Sequence, residues 1–273
     1  MPASFQPIRL KQARYLKRMT LDDLGEIVEL KRQSVNQFEK GRRSPAPDTL
    51  GRLALALEVP VEFFLRPVGR LEGSPRTMAH FRSRERARET IRDRNRSFAM
   101  LDLAAALTDT IEEHVEYKPA RIPAFEFSKN VFDLTDEDVD YYAALTRKEM
   151  GLGDGPISNV TLLVENHSVI VVQVPLPHGM DGLSSWCGDR PFVLASCNAT
   201  NARARLNVAH ELAHLILHRE LVEEDIEDKK RFSRIEQQAW RFARAFLLPS
   251  KSFLSELYSD SLDALKQMKE KCG

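Results

Sequence analysis

Residues 207–218 read NVAHELAHLILH and place two histidines, His210 and His214, four positions apart, with Glu211 directly after the first. On an α-helix this spacing corresponds to about 6 Å of rise, so both imidazoles reach a common point off one face. Apolar neighbours predict a largely buried helix over about 200–218. Neutral imidazoles suit Zn²⁺, and a catalytic zinc site takes three protein ligands. The stretch therefore predicts a zinc site and supplies two of its ligands.

The other two polar residues of this helix are expected to have different roles. Glu211 lies beside the metal rather than on it, where it can take a proton from water whose pKa zinc has lowered, so it is the predicted general base. His218 lies eight residues beyond His210, about 12 Å along the helix, which is too far for two ligands that each sit ~2 Å from one ion. The longer zinc motif with a third histidine also needs glycine where Leu217 stands. His218 is therefore expected to pack or to support a ligand.

The third ligand has several candidates downstream. In RIEQQAWRFARAFLLP, residues 234–249, one helical face is apolar and is formed by Ile235, Ala239, Phe242, Ala243 and Phe246. Glu236 lies at the flank of that face, where a carboxylate would complete a His-His-Glu set; it could equally be a solvated charge. On spacing alone, it is only slightly better placed than the acidic residues of the preceding loop, which are Glu223, Glu224, Asp225, Glu227 and Asp228.

Together, NVAHELAHLILH and IEQQAWRFARAFLLP resemble the ImmA/IrrE family of zinc metallopeptidases. In that family such a helix precedes one of the form E-x-x-A-x-x-F-A-x-x-L-L-x-P, which is filled here by Glu236, Ala239, Phe242, Ala243, Leu247 and Pro249. Phe246 departs from the pattern, since an aliphatic residue is usual there. The resemblance covers about 120–255 and implies Zn²⁺ as cofactor, Glu236 as third ligand and Glu211 as general base. It also implies a narrow substrate class, a helix-turn-helix repressor cleaved in a stress or mobile-element response. The residues do not single out an oxyanion stabiliser among the available His178, Tyr141 and Arg203.

Residues 8–66 form a run of short amphipathic helical segments separated by turn residues. One segment begins at Thr20, three residues before Asp23, in the pattern of a capping box. A tight turn is expected at Glu29, and Gly41 is expected to end the following helix, at a position that glycine suits.

The segment QSVNQFEKGRRSPAPDTL, residues 33–50, is the most specific part of a resemblance to the XRE-type helix-turn-helix, the class that includes the lambda and 434 repressors. In that class the second helix of the motif enters the major groove of double-stranded DNA. Because Arg suits guanine and Gln suits adenine, the resemblance implies base contacts by Arg32, Gln33 and Gln37. It implies phosphate contacts by Lys40, Arg42 and Arg43.

Two residues depart from the helix-turn-helix pattern. Glu29 stands where the turn usually has glycine, and Gly25 stands where the preceding helix usually has alanine. A non-glycine residue in that turn costs about 1 kcal/mol if the turn needs a positive φ. The carboxylate of Glu29 would also repel phosphate. An alternative to DNA binding therefore remains, in which the helix-turn-helix domain serves for dimerisation or partner docking.

The formal net charge is zero, but the two parts of the chain differ. Residues 1–96 carry 21 Lys and Arg against 12 Asp and Glu, whereas residues 97–273 carry 19 against 28. The basic part fits a polyanionic partner. The chain shows no signal peptide and no apolar run long enough to span a membrane, and its three cysteines are sparse, so a cytoplasmic protein is expected.

The remaining patterns predict a mainly helical α+β fold. An arginine-rich stretch at 76–96 leads into a charged linker helix, and three short strands are predicted in VIVVQVPLP, GLSSWC and PFVLASC, the last two joined by a turn at Gly188. The predicted organisation is an all-α five-helix DNA-binding domain, a helical linker, and a zincin-like α+β peptidase domain with a small three-stranded sheet. Their expected bounds are 8–67, 68–118 and 119–273.

These patterns and resemblances lead to one functional hypothesis and one alternative. The hypothesis is a transcriptional regulator that binds operator DNA, for which this motif usually needs a homodimer, and that carries a zinc endopeptidase acting on a repressor-type protein. The alternative is a transcription factor or antitoxin-like protein whose peptidase-fold domain senses a ligand or binds a partner without proteolysis.

Overall fold

A computed structural model of the chain describes residues 4–72, 80–83, 91–176, 180–222, 225, 227–249 and 261. Contacts between residues divide the chain into two units. One consists of Met1–Ser74 with Glu85–Glu116, and the other of Pro75–Arg84 with Tyr117–Gly273. In the part of the chain that the structure describes, no helix combines the length and apolar character needed to cross a membrane.

In the described residues of the first unit, all the regular elements are helices. Its elements are α1 (Pro7–Leu16), α2 (Leu21–Ile27), α3 (Arg32–Glu39), α4 (Pro47–Leu57), a 3-10 helix (Val61–Leu65) and α5 (Ile91–Glu112). The first five are the short helices predicted for 8–66. Their apolar faces meet in one core, which includes the fully buried Leu10, Leu24, Val35, Leu53 and Phe64.

The start of α2 follows the predicted capping box. The backbone N–H of Asp23 donates to Thr20 Oγ1 at 3.0 Å, and the backbone N–H of Thr20 donates to Asp23 Oδ2 at 2.8 Å. These bonds satisfy two groups that a helix start leaves open. They also lower the pKa of Asp23, because the backbone bond from Thr20 favours its charged form.

The turn between α2 and α3 explains both departures from the helix-turn-helix pattern. Glu29 has a φ of +55°, so the turn has the left-handed conformation that glycine usually provides. Because Glu29 has a Cβ, this conformation is strained at that residue. Gly25 lies against the returning chain: a Cβ on it would come within 2.6 Å of Leu30 O. The backbone N–H of Leu30 in turn donates to Gly25 O at 2.8 Å. The glycine at position 25 therefore permits the close approach that the turn requires.

Substituting Gly25 with Ala is expected to destabilise the first unit by about 1–3 kcal/mol, because the added methyl group overlaps a backbone oxygen that cannot move cheaply. Gly51 in α4 is a matched control, since a Cβ on it meets nothing within 4 Å. Gly51→Ala is expected to stabilise the helix by up to about 1 kcal/mol. Urea denaturation followed by circular dichroism measures both. Shifts of the same sign for the two variants would contradict this account.

The helix predicted inside the linker is α5, and it packs against α1 rather than standing in solvent. Its buried residues include Leu101 and Ala105. The chain before it is also fixed: Arg9 and Glu72 form an ion pair of 2.6 Å with both side chains 1% exposed, and the backbone N–H of Leu71 donates to the Asp109 carboxylate. Leu71, Glu72 and α5, all inside the predicted linker of 68–118, therefore belong to the first unit, whereas Tyr117 and Lys118 at its end belong to the second.

The second unit is α+β, as predicted. Its helices are a 3-10 turn (Val131–Asp133), α6 (Asp136–Glu149), α7 (Val160–Asn166), α8 (Asn201–Leu217) and α9 (Lys229–Leu247). Its strands are β1 (His80–Ser83), β2 (Ile170–Val174), β3 (Met180–Cys187) and β4 (Arg190–Ser196). The last helix predicted from Pro249 onward lies outside the described residues, apart from Pro249 itself and residue 261.

The sheet has the strand order β1-β3-β4-β2. β3 and β4 form an antiparallel hairpin whose turn contains Gly188 at a φ of +60°, and β2 runs parallel to β4. These are the three predicted strands. The fourth, β1, comes from the predicted linker and pairs antiparallel with β3. Its sequence, HFRS, shows no strand pattern in an arginine-rich stretch, so its conformation comes from the partner strand.

The sheet and α9 enclose the helix that carries the histidines. α8 packs against β3, β4 and α9, which explains why its residues from Asn207 to Leu217 are all buried. On α9 the fully buried Ala239 and Ala243 permit a close approach of the two helices. The polar side chains between Asn207 and Leu217 are consequently enclosed by protein.

Candidate metal centre

His210 and His214 project from successive turns of α8. Their Nε2 atoms lie 3.0 Å apart, and both side chains are 1% exposed. The predicted convergence on one face of the helix is therefore present. Two imidazole nitrogens directed at one buried point are arranged so that both could bind the same metal ion.

Glu236 on α9 reaches the same point. Its Oε1 lies 3.3 Å from His214 Nε2, and its Oε2 lies 3.5 Å from His210 Nε2. The side chain is 15% exposed, and the donor atoms of the three residues all lie within 4.8 Å of one another. The structure thus brings together the three residues for which a His-His-Glu set was predicted.

This donor set fits Zn²⁺. Two imidazoles and a carboxylate are ligands that zinc takes in catalytic sites. Glu236 Oε1 is buried and accepts no hydrogen bond from the described residues, and a buried carboxylate oxygen without a donor is costly unless a cation balances it. A zinc ion held by His210, His214 and Glu236 would satisfy that oxygen.

A chain of buried polar groups stands behind His214. Its Nδ1 lies 2.9 Å from His218 Nδ1, and His218 Nε2 lies 3.1 Å from Gln238 Oε1. The Gln238 amide nitrogen donates to the backbone oxygen of Val131 at 2.7 Å, which directs the amide oxygen toward His218. Burial holds the pKa of His218 well below its usual value, with a further lowering by His214 and an opposing effect of Gln238.

These contacts fix the proton positions on both rings. A neutral His218 has one N–H, which donates from Nε2 to Gln238 Oε1, so its Nδ1 accepts from His214 Nδ1. The lone pair of His214 is then on Nε2, the atom that faces His210 and Glu236. His218 therefore orients a predicted ligand, which is a common arrangement around metal-binding histidines.

The ring of Trp240 packs on the ring of His210. Their centroids are 4.1 Å apart and their planes are inclined by 31°. Trp240 lies one helical turn after Glu236 on α9, so the same helix supplies the carboxylate and a wall against the imidazole. This contact limits rotation of the His210 ring.

Glu211 is 1% exposed and is held by β3. Ser184 Oγ donates to Glu211 Oε2 at 2.7 Å. A Cβ built on Gly182 would lie 2.6 Å from Glu211 Oε1, so only glycine leaves room for the carboxylate. Neither Ser184 nor Gly182 is predicted from the sequence, where the one signal is a glycine inside a predicted strand, a feature that often marks a close approach.

Gly182→Ala is expected to lower peptide cleavage by about 10²-fold with zinc content unchanged, because it displaces the Glu211 carboxylate without touching His210 or Glu236. Gly155→Ala is a suitable control, since a Cβ there meets nothing within 4 Å. Steady-state kinetics and metal analysis on both variants test the prediction. Full activity in Gly182→Ala would show that Glu211 does not need this position.

The other candidate ligands are placed elsewhere or not described. Asp228 accepts from the backbone N–H groups of Lys230 and Arg231 and caps α9, and Asp225 accepts from the backbone N–H of Val222. Glu227 is exposed, while Glu223 and Glu224 lie outside the described residues. Among the possible oxyanion stabilisers, Arg203 pairs with Asp181 at 2.6 Å, Tyr141 is 62% exposed, and His178 is not described.

The predicted DNA contacts all lie on the surface of the first unit. Along α3, Val35 and Phe38 are buried in the core, and the exposed positions include Arg32, Gln33 and Gln37. Gly41, at a φ of +66°, ends this helix as predicted, and it is surrounded by the exposed Lys40, Arg42 and Arg43. Arg32 also lies 3.7 Å from the carboxylate of Asp22 at the start of α2.

Comparison with protein-family models gives two matches. Residues 10–64 match the helix-turn-helix model, and residues 164–270 match the peptidase-family model described as an IrrE N-terminal-like domain. The first match contains α3, and the second contains α8 and α9 with the His210 cluster. Comparison with the curated proteins and with the solved structures finds no match. The two matches fall on separate segments, so the chain combines a segment similar to the helix-turn-helix family with a segment similar to the IrrE-like peptidase family.

Proposed function

We propose that the protein is a transcriptional regulator that binds operator DNA through its first unit and cleaves a repressor-type protein with a zinc endopeptidase in its second. The observation that carries the peptidase proposal is the convergence of His210, His214 and Glu236, with Glu211 held beside them by Ser184. The family match supports the same class of enzyme. The substrate class that we propose is a helix-turn-helix repressor, which the protein cleaves in a stress or mobile-element response.

In this proposal the zinc ligands are His210, His214 and Glu236. When bound, Zn²⁺ supplies Lewis acidity, which polarises a peptide carbonyl and makes water acidic at the site. Glu211 takes a proton from the attacking water, whose oxygen bonds to the carbonyl carbon. As the C–N bond breaks, Glu211 delivers the proton to the departing nitrogen. Ser184 and Gly182 hold the Glu211 carboxylate at the place where both transfers occur.

The peptidase proposal is tested on the full-length protein with metal analysis and candidate helix-turn-helix repressors as substrates. We expect one zinc per chain, cleavage at a single bond detected by mass spectrometry, loss of cleavage on chelation and recovery on adding Zn²⁺. A carefully prepared protein without zinc would overturn the metal site. Zinc without cleavage of any candidate would favour a sensing or partner-binding role for the second unit.

The DNA-binding proposal assigns base contacts to Arg32, Gln33 and Gln37 and phosphate contacts to Lys40, Arg42 and Arg43. All six lie on exposed positions at or after α3, as major-groove reading requires. Helix-turn-helix proteins of this class bind two half-sites of DNA as dimers, so the proposal includes a homodimer on the operator. The contact between Arg32 and Asp22 is weak and exposed and leaves the guanidinium free to rotate toward a base.

Two substitutions separate base reading from phosphate binding. Gln33→Ala is expected to reduce discrimination between the operator and a mismatched site by about 1–3 kcal/mol. Lys40→Ala is expected to weaken binding to all sequences and to reduce the dependence of log K on log salt by about 1. Fluorescence anisotropy with DNA from upstream of the gene measures both. Absence of binding to that DNA by the wild type would instead favour a docking role for the first unit.

A further inference from the structure

A strand from the predicted linker lies beside the part of the sheet that holds Glu211. β1 pairs antiparallel with β3 on the edge opposite β4, with His80 facing Ser184, Phe81 facing Leu183 and Ser83 facing Met180. The backbone of this short strand is therefore in the position that an extended peptide takes when it adds to the edge of a sheet.

The paired stretch of β3 is the stretch that contacts the proposed general base. Ser184 donates to Glu211, and Gly182 lies against the Glu211 carboxylate. Neighbouring strands are about 4.8 Å apart. The peptide groups of β1 are thus one strand spacing from the strand that positions Glu211.

The pairing of β1 is short and irregular. Its register shifts between Phe81 and Ser83, so that two residues of β3, Asp181 and Gly182, face one residue of β1. Such bulges interrupt the hydrogen-bond ladder and are frequent near active sites. A four-residue strand with an interrupted ladder is held weakly and is open to displacement by another extended peptide.

The chain on both sides of this segment belongs to the first unit. Met1–Ser74 precedes it and Glu85–Glu116 follows it. The preceding side is fixed by the buried Arg9–Glu72 ion pair, and α5 on the following side packs on α1. A strand tethered at both ends has an effective concentration near the millimolar range at its docking edge.

We propose that the edge of β3 binds an extended peptide and that His80–Ser83 is an intramolecular competitor for that edge. The role of the bound peptide as substrate rests on the proposed peptidase function. Main-chain hydrogen bonds supply the affinity in this mode of binding and tolerate different side chains, so one edge can accept the linker strand and a segment of another protein in turn. Substrate and linker strand exclude each other.

Peptide binding by full-length, zinc-loaded protein tests the competition without relying on cleavage. The background is Glu211→Gln, and the probe is a fluorescein-labelled synthetic peptide of residues 77–86. Phe81→Pro removes a backbone N–H and disrupts strand pairing, whereas Phe81→Ala retains the backbone and serves as the matched control. Anisotropy titrations give the dissociation constant for each protein, and hydrogen exchange at β3 reports whether the edge is covered.

We expect Phe81→Pro to bind the probe at least about tenfold more tightly than either the parent or Phe81→Ala, as removal of a tethered competitor predicts. The β3 amides are expected to exchange faster in Phe81→Pro and to regain protection when the probe is added. Equal affinities in the three proteins, or no binding to any of them, would overturn the inference. If the wild type cleaves a repressor and the affinities are equal, only the inference fails; if Phe81→Pro binds more tightly and the wild type cleaves nothing, only the peptidase proposal fails.

Discussion

Replacing Glu211 with Gln is expected to lower the rate of peptide cleavage by about 10²–10⁴-fold while the protein keeps its zinc. Glutamine has nearly the size of glutamate, and its amide oxygen can still accept the hydrogen bond from Ser184 Oγ. It cannot take a proton from water at neutral pH. The variant therefore removes proton transfer and leaves the packing beside Gly182 in place.

Three measurements make the Glu211 experiment decisive. Metal analysis is expected to find the same zinc content in both proteins, thermal unfolding is expected to show similar stability, and single-turnover cleavage is expected to be slow only in the variant. An unchanged cleavage rate in Glu211→Gln would exclude this residue as the general base. A loss of zinc in the variant would instead show that Glu211 contributes to binding the metal.

Replacing Glu236 with Ala is expected to lower the affinity for Zn²⁺ by more than about 100-fold. Groups that only orient a metal ligand typically contribute a factor of about 10–100, and a ligand contributes more. Glu236 is the one carboxylate among the described residues that lies within 3.5 Å of both imidazoles. Its removal leaves two histidines, which is too few for a stable catalytic site.

A graded series of variants distinguishes a ligand from a neighbouring residue. Gln238→Ala removes the partner of His218 and is expected to lower the zinc affinity by about 10–100-fold. Glu227→Ala removes an exposed carboxylate of the loop and is expected to leave the affinity unchanged. Competition with a chromophoric chelator measures all three variants. Equal affinities for the Glu236 and Glu227 variants would mean that the third ligand lies elsewhere.

The helices of the candidate site could be predicted because their signals are local. The spacing of His210 and His214, the apolar face around Ala239 and the capping pattern at Thr20 depend on residues within one or two turns of each other. Helical geometry also indicated that His218 would not share an ion with His210. The choice of Glu236 required a family resemblance, because spacing alone barely separated it from the loop carboxylates.

The supports of the site depend on contacts that sequence spacing does not encode. Ser184 and Glu211 are 27 positions apart, and His218 and Gln238 are 20 apart. Each pair meets only because separate elements pack together, so neither residue stands out in its own segment. The strand β1 is not predicted for the same reason, since its arginine-rich sequence becomes a strand only beside β3.

Segments of the two units alternate along the sequence, and this alternation limits where the gene can be divided to express each unit alone. A fragment that ends at Ser74 lacks α5 and would expose the side of α1 that this helix covers. A fragment that begins at Tyr117 lacks β1 and leaves an uncovered strand edge, which is a common cause of aggregation. Soluble, native-like halves therefore require rearranged genes: α5 joined directly after the helix-turn-helix segment for one half, and residues 75–84 supplied to the other.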